Sequence, residues 1–287
     1  MIDPNISVEG MTDEELLLFC KDYMDLQERD RKEFALHYYT PANDTIAKLH
    51  TLTVGTIGIF GGNGSGKTEH ALVEGIIRCT GVIPKSLEAT YPRQKLRGPI
   101  HMRVVCESLT TVLEPIILPK LQYWQWSGLN PQGGEQGHWG WIPKHCLING
   151  DWKKSYNTRL RMLNLIYRDE NGNPAGVSNI QFMSYDQDPS DFASGDVHYC
   201  LHDEPPTHAI WKENRARVMR GGKGSTILVS MTWPDNPASP VDWLFDEIYD
   251  KGMPGKCKDP NIEVINIYST MNKHLDQEEI AERAGQM

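Results

Sequence analysis

The segment that most constrains the fold is Gly61-Gly62-Asn63-Gly64-Ser65-Gly66-Lys67-Thr68, set between an apolar, β-branched run and a segment of helical periodicity. Residues 52–60 read as a buried strand that ends abruptly on two glycines. From Lys67 onward Ala71, Leu72, Ile76 and Ile77 recur at helical spacing until Gly81 and Pro84 stop them. Strand, glycine-rich turn and helix in that order match G-x-x-x-x-G-K-[ST], a loop that cradles phosphates. Its glycines let successive N–H groups point inward, and the helix N-terminus adds positive potential. Lys67 is then expected to reach the β- and γ-phosphates of ATP, and the Thr68 hydroxyl to ligate Mg²⁺. An ordinary glycine-rich turn is the bland alternative, but it does not account for the strand and helix on either side.

A nucleotide site of this kind also needs an acid for the metal, at the end of a neighbouring strand. Residues 197–202 form an apolar-leaning strand closed by Asp203 and Glu204 and stopped by Pro205 and Pro206. Asp203 is expected to hold Mg²⁺, directly or through water, and Glu204 to polarise the attacking water as general base. The bland reading is a solvated acidic pair at a strand end. The same strand places His198, Cys200 and His202 on one face, a pattern open to misreading as a zinc site, but no fourth ligand is in view. Residues 226–230 form a third strand ending in hydroxyls, so Ser230 or Thr232 could report whether a γ-phosphate is present; such residues also often just cap turns.

Elsewhere the chain alternates strands and helices. Thr12-Asp13-Glu14-Glu15 is a capping box followed by Leu16, Phe19, Cys20 and Tyr23, which predicts one or two amphipathic helices over 12–36. Further strands are expected at 101–106 and 262–268, and helices at 110–123 and 209–219. Pro115 and Pro119 blur the first of these helices. Residues 124–152 hold five of the eight tryptophans and read as a long surface excursion. Residues 159–167 and 180–185 flank Asp169-Glu170-Asn171-Gly172-Asn173 and predict a β-hairpin. The resulting expectation is an α/β fold with a mostly parallel sheet and crossover helices. It divides into an N-terminal helical arm (1–37), a phosphate-loop ATPase domain (38–272) and a C-terminal tail or linker (273–287).

Composition narrows the function classes. The 287 residues include 38 acidic and 29 basic side chains, a net charge of −9, with 39% hydrophobic residues; disordered and fibrous classes are excluded. No apolar run approaches the ~18 residues of a membrane span, and the N-terminus carries acids where a signal peptide carries bases. A soluble, cytoplasmic protein with no membrane partner is expected. Six scattered cysteines without a C-x-x-C pair read as reduced thiols. Because affinity for DNA comes from phosphate neutralisation, any DNA contact of so acidic a chain must be local. Two basic islands qualify. Residues 144–168 hold Lys144, Lys153, Lys154, Arg159, Arg161 and Arg168 against Asp151 alone, and residues 212–223 hold five bases against Glu213. Lys153, Lys154, Arg159 and Arg161, with Trp139, Trp141 or Trp152 nearby, could line a DNA channel; a solubilising hairpin and helix face is the equal alternative.

Taken together, residues 61–69, 182–188, 203–206 and 230–234 resemble, in order and spacing, the ATPase half of tailed-phage terminase large subunits, across about residues 38–270. The resemblance implies a RecA-like fold and ATP hydrolysis coupled to moving double-stranded DNA into a procapsid. It further implies a homo-oligomeric ring, with a portal protein and a small terminase subunit as partners in the host cytoplasm. Ser230 and Thr232 fall in the family's coupling motif. Many relatives carry an arginine just before the acidic strand, where this chain has Phe192-Ala193-Ser194-Gly195, so Arg217 and Arg220 become the candidates for the transition-state cation. The family's C-terminal nuclease is expected to be missing from this chain. Two other readings remain: another RecA-like DNA-dependent ATPase of the helicase kind, or a nucleotide-gated assembly module without turnover, against which Glu204 argues.

Overall fold

The computed structural model describes residues 10–122, 124–129, 135–138, 140–232, 241–255 and 257–271. Its strands are β1 (Thr56–Gly61), β2 (His101–Cys106), β3 (Trp124–Leu129), β4 (Glu135–His138), β5 (Tyr156–Asn157), β6 (Met162–Arg168), β7 (Pro174–Ser184), β8 (Tyr199–Asp203), β9 (Thr226–Met231) and β10 (Ile262–Ile267). Eight of these form one sheet in the order β10-β1-β9-β8-β2-β7-β6-β5, and β3 pairs with β4 separately. All pairings from β10 across to β7 are parallel, and β6 and β5 extend the sheet antiparallel. The β6–β7 hairpin is the one read from residues 159–185. β8 and β9 are buried along their whole length, as parallel strands covered on both faces must be.

The helices are α1 (Asp13–Glu33), α2 (Asp44–Thr51), α3 (Lys67–Thr80), α4 (Leu118–Leu121), α5 (Trp152–Ser155) and α6 (His208–Arg220). Because successive strand residues point to opposite faces, β1 sends Ile57 and Ile59 into one core with Leu49, Leu72 and Ile76. It sends Phe60 into a second core with Ile210, Trp211 and Ile248. The sheet is thus the middle of three layers, with α2 and α3 on one side and α6 on the other. The fold is RecA-like, α/β and mostly parallel, as expected.

The N-terminal helix forms as expected, and three local expectations change. α1 starts at the capping box, with the Glu15 N–H donating to Thr12 Oγ1 at 3.4 Å, but none of its residues is buried, and Leu17 and Leu18 are 72% and 62% exposed. Residues 44–51 form α2, capped by the Asn43 side chain at Ile46 N (2.9 Å), and the strand begins at Thr56 rather than at 52. The helix expected at 110–123 is a π-helical run, Leu109–Ile117, that passes into α4, with Pro115 inside it. A proline cannot donate to the usual helical ladder, and a wider turn accommodates the missing bond. Finally, the excursion rejoins the core: Trp141 meets the Tyr39 ring edge-on at 5.3 Å, and Ile142 and Cys146 are buried. The tail at 273–287 and Trp139 lie outside the described residues.

Candidate functional site

The loop after β1 owes its shape to glycines. A Cβ at Gly61 would come within 2.0 Å of the Ile267 carbonyl oxygen on β10, so no larger residue fits. Gly66 has φ +88°, a left-handed conformation open to glycine, and from it α3 starts with no side chain capping its N–H groups. Lys67 turns back over this loop: its ammonium donates to the Gly61 and Gly62 carbonyls, both at 2.9 Å, and to Thr232 Oγ1 at 3.0 Å. Thr232 in turn donates to Asn63 Oδ1 at 3.0 Å. Burial lowers the Lys67 pKa, and the nearby Glu204 and Asp203 carboxylates oppose that shift. Loop, lysine and the end of β9 therefore form one hydrogen-bonded unit.

Sheet order corrects one expectation about the acids. β9 lies between β1 and β8, so Asp203 is two strands from β1, which leads into the loop at 61–68, and not on its neighbour. Contact is made nonetheless through α3, whose Thr68 hydroxyl donates to Asp203 Oδ1 at 2.6 Å. Asp203 is 7% exposed; burial raises its pKa, and the Thr68 bond and the Lys67 charge only partly offset this. A hydroxyl oxygen and a carboxylate held together in a desolvated niche form a hard-oxygen donor set of the kind Mg²⁺ prefers.

Glu204 is held in an unusual backbone conformation, with φ +71°, that side-chain-bearing residues rarely adopt. Three bonds hold it: its N–H donates to the Ser230 carbonyl at 2.8 Å, its carbonyl accepts from Tyr185 Oη at 2.6 Å, and its Oε2 accepts from the Thr232 N–H at 3.1 Å. Burial raises the Glu204 pKa, with the Thr232 bond working against it. Ser230 thus meets the site through its backbone, since among the described residues its buried hydroxyl has no hydrogen-bond partner. Thr232 joins lysine, loop and acid.

The three residues of the zinc-like pattern are engaged otherwise. His202 is fully buried between Tyr185, whose ring lies 10° from parallel at 5.9 Å, and Trp211; burial pushes its pKa down to about 3. Burial drives the Cys200 thiol up to about 12, and His198 Nδ1 accepts from the His101 N–H at 3.1 Å.

The basic residues fall at opposite edges of the sheet. Lys153 and Lys154 on α5, and Arg159, are exposed beside the β5–β6 pair, whose Met162 end shares an edge with the C-terminal ends of the parallel strands. Arg161 is paired there with Glu114 at 2.8 Å. Arg217 and Arg220 lie at the other edge, where the Val197 N–H donates to the Arg217 carbonyl ahead of β8. Arg217 pairs with Glu213 at 3.4 Å and Arg220 with Asp196 at 3.0 Å. Neither faces the phosphate loop of its own chain.

Two features escaped the sequence reading. Arg103 on β2 is fully buried and donates to the Phe192 carbonyl at 3.0 Å and the Ser194 carbonyl at 3.1 Å, so a guanidinium does serve the arginine-free segment, from another strand. Glu74 on α3 is fully buried among Arg78 (2.7 Å), Lys95 (2.6 Å), His50 (3.0 Å) and Tyr91 (3.2 Å). The only local signal was an Arg four residues after Glu74, around an otherwise apolar stretch from Ala71 to Ile77.

No family model matches the sequence, and no curated protein does. Solved structures do. The chain is similar to the large terminase ATPase domain of Thermus phage P74-26, in a mutant form, with TM-score 0.51 and 16% identity over 88% of this chain and 92% of that one. It is also similar to the large terminase of another thermophilic bacteriophage (TM-score 0.51, 13% identity, 86% of this chain) and spans 50% of that protein's length. That second terminase in complex with ADP superimposes equally, at TM-score 0.51 and 12% identity over 85% of this chain and 50% of that one. At these identities the likeness establishes a common fold.

Proposed function

We propose that the chain is the ATPase motor domain of a viral DNA-packaging machine, hydrolysing ATP to drive double-stranded DNA into a procapsid. The observation that carries this reading is the convergence of Lys67, the Thr68–Asp203 pair and Glu204 at one edge of a RecA-like sheet. The triphosphate of ATP fits the loop 61–68, where backbone N–H groups and the α3 N-terminus favour negative charge. Lys67, now bonded to loop carbonyls, would exchange them for phosphate oxygens. Thr68 and Asp203 would hold Mg²⁺, which when bound neutralises charge developing on the phosphates.

Glu204 takes the proton of the attacking water, a task suited to a carboxylate whose pKa burial has raised. Thr232 bonds both Lys67 and Glu204, so a change at the phosphates would pass to β9; with Ser230 it forms the coupling element. Arg217 and Arg220 sit away from their own loop, so in this reading they act in trans, on a neighbouring subunit of a ring. Lys153, Lys154, Arg159 and Arg161 supply phosphate contacts to DNA, weak singly and effective when a ring repeats them around one duplex. A portal protein and a small terminase subunit complete the assembly in the infected host's cytoplasm. Among the described residues no helix is long and apolar enough to cross a membrane.

ATP turnover by Lys67→Ala tests the reading. Loss of turnover with an unchanged circular dichroism spectrum is expected, since β1 and α3 on either side of the loop keep their own backbone hydrogen bonds when the ammonium is removed. Wild-type turnover in that variant would remove the phosphate-loop assignment.

A further inference from the structure

A buried hydrogen-bond chain leads into the Glu204 peptide from the far face of β8. Arg103 Nη1 can only donate, and it donates to Asn214 Oδ1 at 2.7 Å, which turns the Asn214 amide nitrogen toward His202. Asn214 Nδ2, 3.3 Å from His202 Nε2, then donates to that nitrogen. With Nε2 accepting, the proton of the neutral ring sits on Nδ1, which lies 3.3 Å from Tyr185 Oη. Tyr185 has one hydroxyl proton, and of its carbonyl neighbours the nearest is Glu204 O at 2.6 Å, ahead of Asp203 O and Val105 O, each at 3.3 Å. Donor and acceptor roles thus run in one direction, from Arg103 through Asn214, His202 and Tyr185 to the Glu204 carbonyl.

The terminus of this chain is the one acidic residue of the site with a left-handed backbone, φ +71°. Such a peptide relaxes unless its surroundings over-determine it. Arg103, Asn214 and His202 are fully buried, so the chain is anchored in the second core and not in solvent. Tyr185 follows directly on β7, and Asn214 sits on α6. A shift of either element would therefore be felt at the Glu204 peptide.

We propose that Tyr185, oriented by Arg103, Asn214 and His202, is a positioning residue that holds Glu204 in its left-handed conformation and so aims its carboxylate for hydrolysis. This rests on the reading of Glu204 as the group that polarises water. Tyr185→Phe keeps the ring against His202 and removes only the hydroxyl. Its kcat for ATP should fall about tenfold, the equivalent of one lost hydrogen bond in the transition state, while KM and Mg-ATP binding stay within about twofold. In a Glu204→Gln background the same substitution should cost nothing further, because no base is left to aim. Wild-type turnover in Tyr185→Phe, a parallel loss of Mg-ATP binding, or losses that simply add in the double variant would each overturn the proposal. Full turnover in Glu204→Gln alone would instead overturn the underlying reading of that acid, and the role of Tyr185 with it.

Discussion

Two buried acids on the α3 side of the sheet, Asp203 at its C-terminal edge and Glu74 on α3 toward the opposite edge, treat desolvation in opposite ways. Burial pushes both pKa values up. At Glu74 the charges of Lys95 and Arg78 and the His50 bond outweigh burial and hold the carboxyl well below the usual carboxylate range. At Asp203 the Thr68 hydroxyl and the Lys67 charge do not, and the pKa stays raised. The cluster at Glu74 is electrostatically complete in itself and ties α2, α3, the Lys95 turn and the start of β9 together, through Arg78 and Thr226 Oγ1 at 3.0 Å. The edge at Asp203 is left short of positive charge, the condition in which a site gains from taking up a cation. One edge is balanced within the chain; the other keeps an acid that is not, the feature on which the proposed cation site rests.

The largest effect that separates the two edges is on stability. Glu74→Gln leaves Arg78 and Lys95 buried without a counter-charge and should cost about 3–5 kcal/mol. That corresponds to a fall of roughly 10 °C in melting temperature for a domain of this size, measured by calorimetry or circular dichroism. Acid titration sharpens the contrast. A carboxylate whose folded pKa lies below its unfolded value leaves the unfolded chain holding more protons, so stability rises with pH across that window. The contribution of Glu74 should be complete above about pH 5 and drain away as pH falls from its ordinary value of 4.5 toward the depressed one. In Glu74→Gln that part of the acid slope should vanish; an unchanged slope would mean the cluster is not the source.

A smaller and opposite effect is expected at the other edge. Asp203→Asn removes an ill-compensated charge and keeps an oxygen for Thr68, so without nucleotide and Mg²⁺ the variant should melt at the wild-type temperature or above. Its Mg²⁺-dependent ATP binding should weaken at the same time. A large destabilisation would place Asp203 with Glu74, as a structural acid. The smallest effects belong to the cations of the two basic islands. Charge reversal at Lys153 and Lys154 should leave melting within about 0.5 kcal/mol, as surface changes do, and lower only DNA-stimulated turnover. Reversal at Arg217 and Arg220 should lower turnover of the assembled state. No change from either pair would make both islands plain solvated surface.

The functional edge was far more legible than the structural one, for a physical reason. The signals at that edge are short and contiguous: residues 61–68 and the Asp203-Glu204 pair each stand out as a motif, and the Thr68–Asp203 bond brings them together. Burial of Glu74 depends on Lys95 and His50, which sit 21 and 24 positions away in the chain; a glutamate four residues before an arginine reads alone as a solvated pair. The chain from Arg103 to Glu204 was invisible likewise, its members lying on β2, α6, β8 and the end of β7. Strand β9 between β1 and β8 could not be read either, because sequence order does not give sheet order. α1 forms where it is expected, and its exposed apolar residues show a limit of such patterns: periodicity shows that a face exists, not that other described residues cover it.

The most direct test of the central claim, that the edge at Asp203 and Glu204 is a hydrolytic site, separates binding from turnover in Glu204→Gln. Mg-ATP binding, followed by calorimetric titration, should stay close to wild type, because the amide keeps the shape and the Thr232 contact. Steady-state phosphate release should fall by ~10²-fold or more, because an amide cannot take the proton of water. Wild-type turnover in this variant, or loss of binding together with turnover, would contradict the account.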